Sequence, residues 1–156
     1  MAADMLVNLY ELPEVGTVRD ESIKVHRILP PDAYKLKEFI RKNFSEEWVG
    51  EAEAALSRPN PTCFIAMKNQ EVIGFACFDA TAPGMFGPTG VRKDIRGLNV
   101  GKVLLLKTLY AMKDFGYGYA IIGGVDSARG FYEKSCNALW LGMYKTSIYE
   151  RMLWKN

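Results

Sequence analysis

The sequence predicts a single α/β (α+β) domain in which helices cover both faces of a mixed central sheet. Strand-like and helix-like segments partly alternate and partly cluster along the chain, which is typical of such sheets. The length of 156 residues, with 49% hydrophobic and 24% charged residues, suits one globular domain that buries its own core. No repeat, low-complexity tract or long linker divides residues 1–156, so we expect one domain.

The charge and hydropathy patterns argue against two classes of partner. Twenty basic and 18 acidic residues leave a formal net charge of +2, so we expect no nucleic-acid partner. The most apolar window, Val103–Met112, is interrupted by Lys107 and Thr108 and is shorter than the ~20 apolar residues of a membrane span. The N-terminus lacks the pattern of a secretory signal, so we expect a cytoplasmic protein without a membrane partner.

The cysteine and histidine content predicts no metal site. Cys63, Cys77 and Cys136 form no CxxC pair and are odd in number, so we interpret them as small buried core residues. The single histidine, His26, cannot by itself build a histidine-based metal site.

The first half of the chain predicts one strand, two helices and a three-stranded meander. Alternating β-branched residues indicate a strand at Ile23–Leu29, which Pro30 and Pro31 end. Ser45 is a suitable cap for the second helix. The other predicted ranges are an edge strand at Met5–Leu12 within an N-terminal extension of residues 1–21, helices at Asp32–Asn43 and Ser45–Leu56, and strands at Cys63–Met67, Val72–Ala80 and Met85–Arg92.

The second half of the chain predicts alternating helices and strands. A strongly apolar segment indicates a buried helix at Asn99–Phe115, which Gly116 ends. Asp126 is a suitable cap for a shorter helix that ends near Lys134. The remaining elements are strands at Tyr119–Gly123, Leu139–Met143 and Thr146–Leu153, and the last of these would be exposed and able to pair across a homodimer.

The segment most informative about function joins a glycine-containing strand to the apolar helix and runs from Val91 to Lys102. A helix start leaves backbone N–H groups free and carries partial positive charge, so it favours a phosphate. Gly97 and Gly101 leave room for an anion, and Arg96 adds a full charge. A Walker A loop and a dinucleotide fingerprint both fail on glycine spacing. The sequence therefore predicts a diphosphate-binding loop.

Two motifs resemble the GCN5-related N-acetyltransferase (GNAT) family. The first, at Arg96–Gly101, is similar to the acetyl-coenzyme A loop, written Arg or Gln, two residues, Gly, one residue, Gly or Ala. The second, at Ala128–Lys134, looks like the helix that carries Ala, three residues, Tyr-Glu-Lys. The resemblance covers Ile23–Leu153. It implies a GNAT-like fold and direct transfer of acetyl from acetyl-coenzyme A (acetyl-CoA) to a primary amine of a small molecule or peptide.

The resemblance also implies roles for particular residues. The backbone N–H groups of Gly97–Lys102 would hold the diphosphate, and the strand around Val91 would pair with the pantetheine arm. Tyr132 matches the tyrosine that protonates the departing thiolate, and a phenol is protonated at neutral pH. The implied cosubstrate-binding residues are Val91, Arg96, Gly97, Leu98, Asn99, Val100, Gly101 and Lys102, and the implied catalytic residue is Tyr132.

The chain departs from the family pattern at three places. Asn99 stands at the first motif glycine, where Asn tolerates a positive φ and can also cap the helix. Val125 stands where the family often has Asn. The strand Met85–Val91 carries no carboxylate, although many members have their general base there, so the candidate bases are Asp79, Glu47 and Glu51, with a water chain as the alternative.

These departures favour one alternative, a non-catalytic module of the same fold that binds coenzyme A or a protein partner. Turnover discriminates the two hypotheses, because such a module would release no thiol with any amine. The aromatic residues expected to line an acceptor pocket are Trp48, Phe86, Trp140 and Tyr144.

Overall fold

The computed structural model describes residues 1–153, which form four α-helices and seven strands. Short 3-10 helices, among them Lys93–Ile95 and Ile148–Arg151, lie in the connections. In chain order the main elements are β1 (Ala3–Asn8), β2 (Lys24–Arg27), α1 (Ala33–Asn43), α2 (Glu46–Leu56), β3 (Cys63–Lys68), β4 (Glu71–Phe78), β5 (Met85–Val91), α3 (Val100–Phe115), β6 (Tyr119–Val125), α4 (Arg129–Cys136) and β7 (Leu139–Trp140).

All seven strands belong to one mixed sheet with the order β2-β3-β4-β5-β6-β1-β7. The neighbours are antiparallel except for β5 and β6, which are parallel. That parallel pair needs a crossover, and α3 supplies it. The predicted mixed sheet is therefore confirmed.

The sheet separates two hydrophobic layers. Alternate residues of β3 point to opposite faces: Phe64 and Ala66 pack into one cluster, and Cys63 and Ile65 into the other. The first cluster contains the buried leucines of α3 together with Tyr132 of α4, and the second contains the apolar faces of α1 and α2. Helices thus cover both faces, as the sequence predicts. None of the described helices has the length and apolarity that a membrane crossing requires.

The boundaries of α3 follow from local chemistry. Its buried residues surround most of the helix, which explains its strongly apolar sequence. Gly116 ends it with φ +118° and donates its N–H to the carbonyl of Lys113, as predicted from the sequence. The three cysteines are free and buried, which confirms their interpretation as core residues.

The N-terminal strand lies inside the sheet rather than at its edge. The predicted edge strand at Met5–Leu12 is wrong, because β1 pairs with β6 on one side and with β7 on the other. Met5 and Val7 are fully buried. The partner of Met5 on β6 is Ile122, which is so distant along the chain that no local pattern reveals the pairing.

The C-terminal predictions are also corrected. The strand predicted at Leu139–Met143 is limited to Leu139–Trp140, and Thr146–Leu153 contains a 3-10 helix in place of a strand. Ser147 caps that helix by accepting the N–H of Tyr149 at 3.2 Å. The Ser147 cap therefore outweighs the β propensity of the residues that follow it, and the segment forms a 3-10 helix. It offers no strand for pairing across a dimer.

The predicted cap of α4 is wrong as well. The helix begins at Arg129, and its N-cap Ala128 makes no side-chain capping bond. Asp126 lies two residues too early, and its carboxylate pairs with the N-terminal amine at 3.4 Å. The turn into the helix is instead formed by the Asp126 carbonyl, which accepts the N–H of Arg129.

The interior position of β1 can be tested through stability. Met5→Ala is expected to lower the free energy of unfolding by about 2–5 kcal/mol, because it removes a fully buried side chain. Glu11→Ala, at an exposed position shortly after the strand, is the control and should change it by about 0.5 kcal/mol or less. Urea unfolding followed by circular dichroism measures both, and equal losses would contradict the interior position.

Candidate active site

The sheet opens where β5 and β6 run side by side. These strands are paired only at Met85 with Ile121 and at Phe86 with Ile122. Beyond these pairs, Gly87–Val91 has no partner on the β6 side, while Thr89, Gly90 and Val91 remain paired with β4. A cavity of about 910 Å³ lies at this opening and is lined from both strands, from α2, from the start of α4 and from the C-terminal segment.

The loop between β5 and α3 is anchored by buried apolar residues. Ile95 and Val100 are buried on either side of it. Gly97 between them has φ +91°, is exposed, and has no neighbour within 4 Å of the place where a Cβ would lie. The open space at Gly97 and the helix start at Val100 suit an anion such as a diphosphate.

Asn99 adopts the positive φ expected of it, at +69°, but it does not cap α3 with its side chain. Its Nδ2 instead donates to the carbonyl of Thr17 at 2.9 Å. The backbone N–H of Arg19 donates to the carbonyl of Leu98 at 2.9 Å, and the Arg19 guanidinium to the carbonyl of Gly97 at 3.5 Å. The N-terminal segment thus holds the loop from outside and draws the Asn99 amide to Thr17.

The residues implied by the resemblance divide into two groups. Arg96 and Tyr132 line the cavity. Gly97–Lys102 lie beyond Arg96, at the start of α3, and are not among its lining residues. Val91 pairs with Gly74 on β4, and the lining part of β5 is Phe86–Gly90.

Tyr132 enters the cavity from the face of the sheet that α3 and α4 cover. It is only 7% exposed, and its ring contacts Phe86 and Phe131 edge-on at centroid distances of 6.3 Å and 5.2 Å. Burial, followed by the neighbouring Cys136 and Tyr149, raises the pKa of Tyr132 well above its usual range. The phenol is therefore protonated at neutral pH and is a proton donor.

Phe131 differs from the core residue that its apolar character suggests, because it is 41% exposed. It lies beside the loop: a Cβ on Gly101 would be 3.7 Å from the Phe131 Cζ. The helix α4 therefore places Tyr132 in the cavity and the preceding residue, Phe131, beside the start of α3.

The structure separates the three candidate bases. Asp79 accepts hydrogen bonds from the Tyr117 hydroxyl at 2.9 and 3.0 Å and from the Gly84 N–H at 2.8 Å, and it does not line the cavity. Glu47 is exposed and does not line it either. Glu51 alone of the three lines the cavity, from the α2 face of the sheet.

The environment of Glu51 suits proton transfer. The carboxylate is half-buried and accepts a hydrogen bond from the Thr81 hydroxyl. Burial raises the pKa of Glu51, and the bond from Thr81 partly opposes this. A carboxylate with a raised pKa accepts a proton more readily at neutral pH.

At two strand glycines of the opening, an aromatic ring packs against the backbone where a side chain would otherwise lie. A Cβ on Gly90 would overlap the Cζ of Phe44. On the facing strand, a Cβ on Gly123 would lie 2.5 Å from the Cε2 of Tyr149. Each strand thus lacks a side chain where a ring packs against its backbone.

Tyr149 lines the cavity, although the sequence pattern predicts it within a strand rather than in the site. Burial and the charge of Glu51 raise the pKa of Tyr149 to about 12, while a hydrogen bond with Thr81 lowers it. Its ring lies against Gly123, so it connects the α2 side of the cavity to β6. Ser147, a capping residue two positions earlier, was the available signal that this segment is not a strand.

Three of the four aromatic residues expected to line a pocket do so. Trp48, Phe86 and Tyr144 line the cavity. Trp140 does not, because its ring packs against the Arg129 guanidinium at 4.3 Å. Among the described residues, no group of three or more His, Cys, Asp or Glu side chains is placed to hold a metal ion.

The family comparison identifies the class of protein. The model of the acetyltransferase (GNAT) family matches residues 24–138, which include both motifs and the strands that open onto the cavity. The chain belongs to the GNAT acetyltransferase family. No curated protein sequence matches it.

Solved structures share this fold. A GNAT from Sphaerobacter thermophilus superimposes with a TM-score of 0.70 at 18% identity, covering 89% of this chain and 48% of that one. The fungal multi-domain GH3 β-N-acetylglucosaminidase with a GCN5-related glucosamine N-acetyltransferase region gives 0.69 at 16% identity, covering 89% and 19%. A Brucella melitensis GNAT in complex with acetyl-CoA gives 0.51 at 18% identity, covering 72% and 82%. The chain thus spans about half or less of the first two.

The bond between Asn99 and Thr17 is testable through stability. Asn99→Ala forces alanine into the left-handed region and should be less stable than Asn99→Gly by about 1 kcal/mol. Asn137, with φ +55° at the end of α4, is a matched position. Asn99→Gly should therefore lower the free energy of unfolding by about 0.5–1.5 kcal/mol more than Asn137→Gly does, because the Asn99 variant also loses the side-chain hydrogen bond to Thr17. Equal urea midpoints for the two glycine variants would contradict a contribution from Thr17.

Proposed function

We propose that this protein is an N-acetyltransferase that moves acetyl from acetyl-CoA directly to a primary amine. One observation carries the proposal: Tyr132, a proton donor, and Glu51, a proton acceptor, line the same cavity from opposite faces of the sheet. Both side chains line the cavity at the place where β5 and β6 separate. Direct transfer needs an acid and a base on either side of one reacting carbon, and this arrangement provides both.

The loop and the open strand edge would hold the cosubstrate. The N–H groups at the start of α3, from Gly97 to Lys102, would bind the diphosphate, and Arg96 and Lys102 would add charge. The free backbone edge of Gly87–Val91 offers hydrogen-bonding groups to the amide-containing pantetheine arm. Val91 marks the end of that edge, and Leu98 and Val100 anchor the loop in the core.

Two side chains of the protein would move protons. Bound acetyl-CoA supplies a thioester whose carbon accepts the amine. Glu51 would take the proton from the acceptor ammonium, directly or through water, and its raised pKa brings its basicity closer to that of the amine. As the amine nitrogen bonds to the thioester carbon and the C–S bond breaks, Tyr132 would donate its proton to the departing sulfur, and the second proton released by the nitrogen would restore Tyr132 through solvent.

Removal of the proton donor tests the role of Tyr132. Tyr132→Phe is expected to lower kcat on the order of 10² to 10⁴ fold, with acetyl-CoA affinity nearly unchanged, because only a general acid is lost. Tyr119→Phe, at an exposed position on β6, is the matched control. Thiol release and calorimetry measure the two quantities, and an unaltered kcat would remove Tyr132 from the mechanism.

Blockage of the loop tests the cosubstrate site. Gly101→Glu introduces a negative charge where the diphosphate is expected, so calorimetric binding of acetyl-CoA should be lost. Gly50→Glu, also a helical glycine but outside the cavity lining, should retain binding. Binding by Gly101→Glu equal to that of the original chain would contradict the site. Binding without thiol release from any amine would favour the non-catalytic alternative.

The pH profile tests Glu51. The base acts when deprotonated, so kcat/KM should rise with pH as Glu51 loses its proton, and its raised pKa places this rise above the usual carboxylate range. Glu51→Gln should lose this rise and follow the titration of the free amine alone. Glu47→Gln, on the same helix but outside the cavity, should keep the original profile. An unchanged profile for Glu51→Gln would exclude Glu51 as the base.

A further inference from the structure

One end of the cavity is lined by aromatic rings, a hydroxyl and a second carboxylate in addition to the proposed base. Proton transfer alone does not require these additional groups. We define the acceptor end as the lining residues of the α1–α2 region and of the C-terminal segment that face each other there: Phe44, Trp48, Glu51, Ser147, Tyr149 and Glu150. Glu51 has the role proposed above. The other five residues line the cavity around it and are available to contact an acceptor.

One wall of the acceptor end is aromatic. The rings of Trp48 and Phe44 are 4.9 Å apart between centroids and inclined by 30°, so they stack on each other at a tilt, and both line the cavity. Phe44 is fixed against the backbone of Gly90, and Trp48 packs against Phe75 at 6.1 Å. Because both rings are held by the core, the wall is formed before any substrate arrives.

The facing wall is polar and rich in hydrogen-bond acceptors. The Ser147 hydroxyl accepts the N–H of Tyr149 and can also donate its own hydrogen. Glu150 is exposed and offers a carboxylate. Among the lining residues from β1, α2 and the C-terminal segment, three are acids and one is a base: Asp4, Glu51 and Glu150 against Lys145. This side therefore favours a ligand with a positive charge and several donors.

We infer that the acceptor is an amino sugar, a polyhydroxylated ring that carries one primary amine. This inference rests on the proposed function, because it names the substrate of the same site. A sugar ring has C–H groups on one face, which suit the aromatic surface that Trp48 contributes to the cavity lining, and hydroxyls at its edge, which suit Ser147 and Glu150. Its ammonium would then lie at Glu51.

Three other acceptor classes fit this end less well. An α-amino acid would bring a carboxylate toward Glu51 and Glu150, and Lys145 is the one base that the lining part of the C-terminal segment sets against these two acids. An apolar amine would leave the Ser147 hydroxyl and the Glu150 carboxylate without substrate partners. The ammonium groups of a polyamine would pair with the acidic residues, but a polyamine has no ring to pack against Trp48 and Phe44.

The first experiment compares acceptors with the unaltered protein. Glucosamine and cyclohexylamine share a six-membered ring and a primary amine, but only glucosamine has hydroxyls. With rates normalised to the unprotonated amine, kcat/KM for glucosamine should exceed that for cyclohexylamine on the order of 10² fold or more. It should also exceed the values for phenylalanine and spermidine.

The outcomes separate this inference from the proposed function. Thiol release that is equal or faster with cyclohexylamine, phenylalanine or spermidine overturns the amino-sugar inference and leaves the acetyltransferase proposal intact. Absence of calorimetric binding of acetyl-CoA overturns the proposed function, and the inference falls with it. Binding of acetyl-CoA without thiol release from any of the four amines overturns the inference and favours the non-catalytic alternative.

The second experiment tests the two walls separately. Trp48→Leu should raise KM for glucosamine on the order of tenfold, and Trp48→Phe should raise it less, because phenylalanine keeps a flat face. Glu150→Ala should reduce the preference for glucosamine over cyclohexylamine, whereas Glu14→Ala, exposed and outside the cavity, should not. Equal effects of both Trp48 variants, with acetyl-CoA affinity unchanged, would overturn the role of the aromatic wall.

Discussion

The separation of β5 from β6 is the constraint on which the site depends. Two strands in the interior of a sheet normally satisfy each other's backbone groups, yet these two are paired at only two positions. Beyond Phe86 and Ile122 the chain leaves polar backbone exposed to a cavity inside its own sheet. Phe44 against Gly90 and Tyr149 against Gly123 line this opening with rings at fixed positions. An extended ligand with amide groups is the partner that such an edge fits.

The two faces of the sheet contribute different chemistry to this opening. On one face, α3 begins at the loop that we propose binds the diphosphate, and α4 places the buried Tyr132, the proposed proton donor, in the cavity. On the other face, α2 delivers Glu51 and Trp48, which meet the C-terminal segment at Tyr149. Because the sheet lies between the two groups, the acid and the base reach one cavity without a direct contact between their helices.

The sequence predicts local features well and distant pairings poorly. The loop and Tyr132 are contiguous motifs, and the two-faced sheet follows from hydrophobic periodicity. The interior place of β1 depends on partners such as Ile122, far along the chain, and was therefore missed. Tyr149 was assigned to a strand because its neighbours have β propensity, although Ser147 caps a 3-10 helix there. Glu51 was one of three candidate bases, and only packing distinguishes it from the other two.

Two of the three departures from the family pattern lie against the first 21 residues. Asn99 brings an amide to a position where the motif has glycine, and the Thr17 carbonyl accepts that amide and holds it away from the open space at Gly97. Val125 is buried and supplies no polar group, but the Asp4 carboxylate accepts the N–H of the preceding residue, Gly124, at 3.1 Å. An N-terminal segment that the sequence describes as an extension thus supports both edges of the opening. The folded N-terminus thus contacts the chain at Asn99 and beside Val125, whereas the missing carboxylate of the strand Met85–Val91 has no counterpart in these contacts.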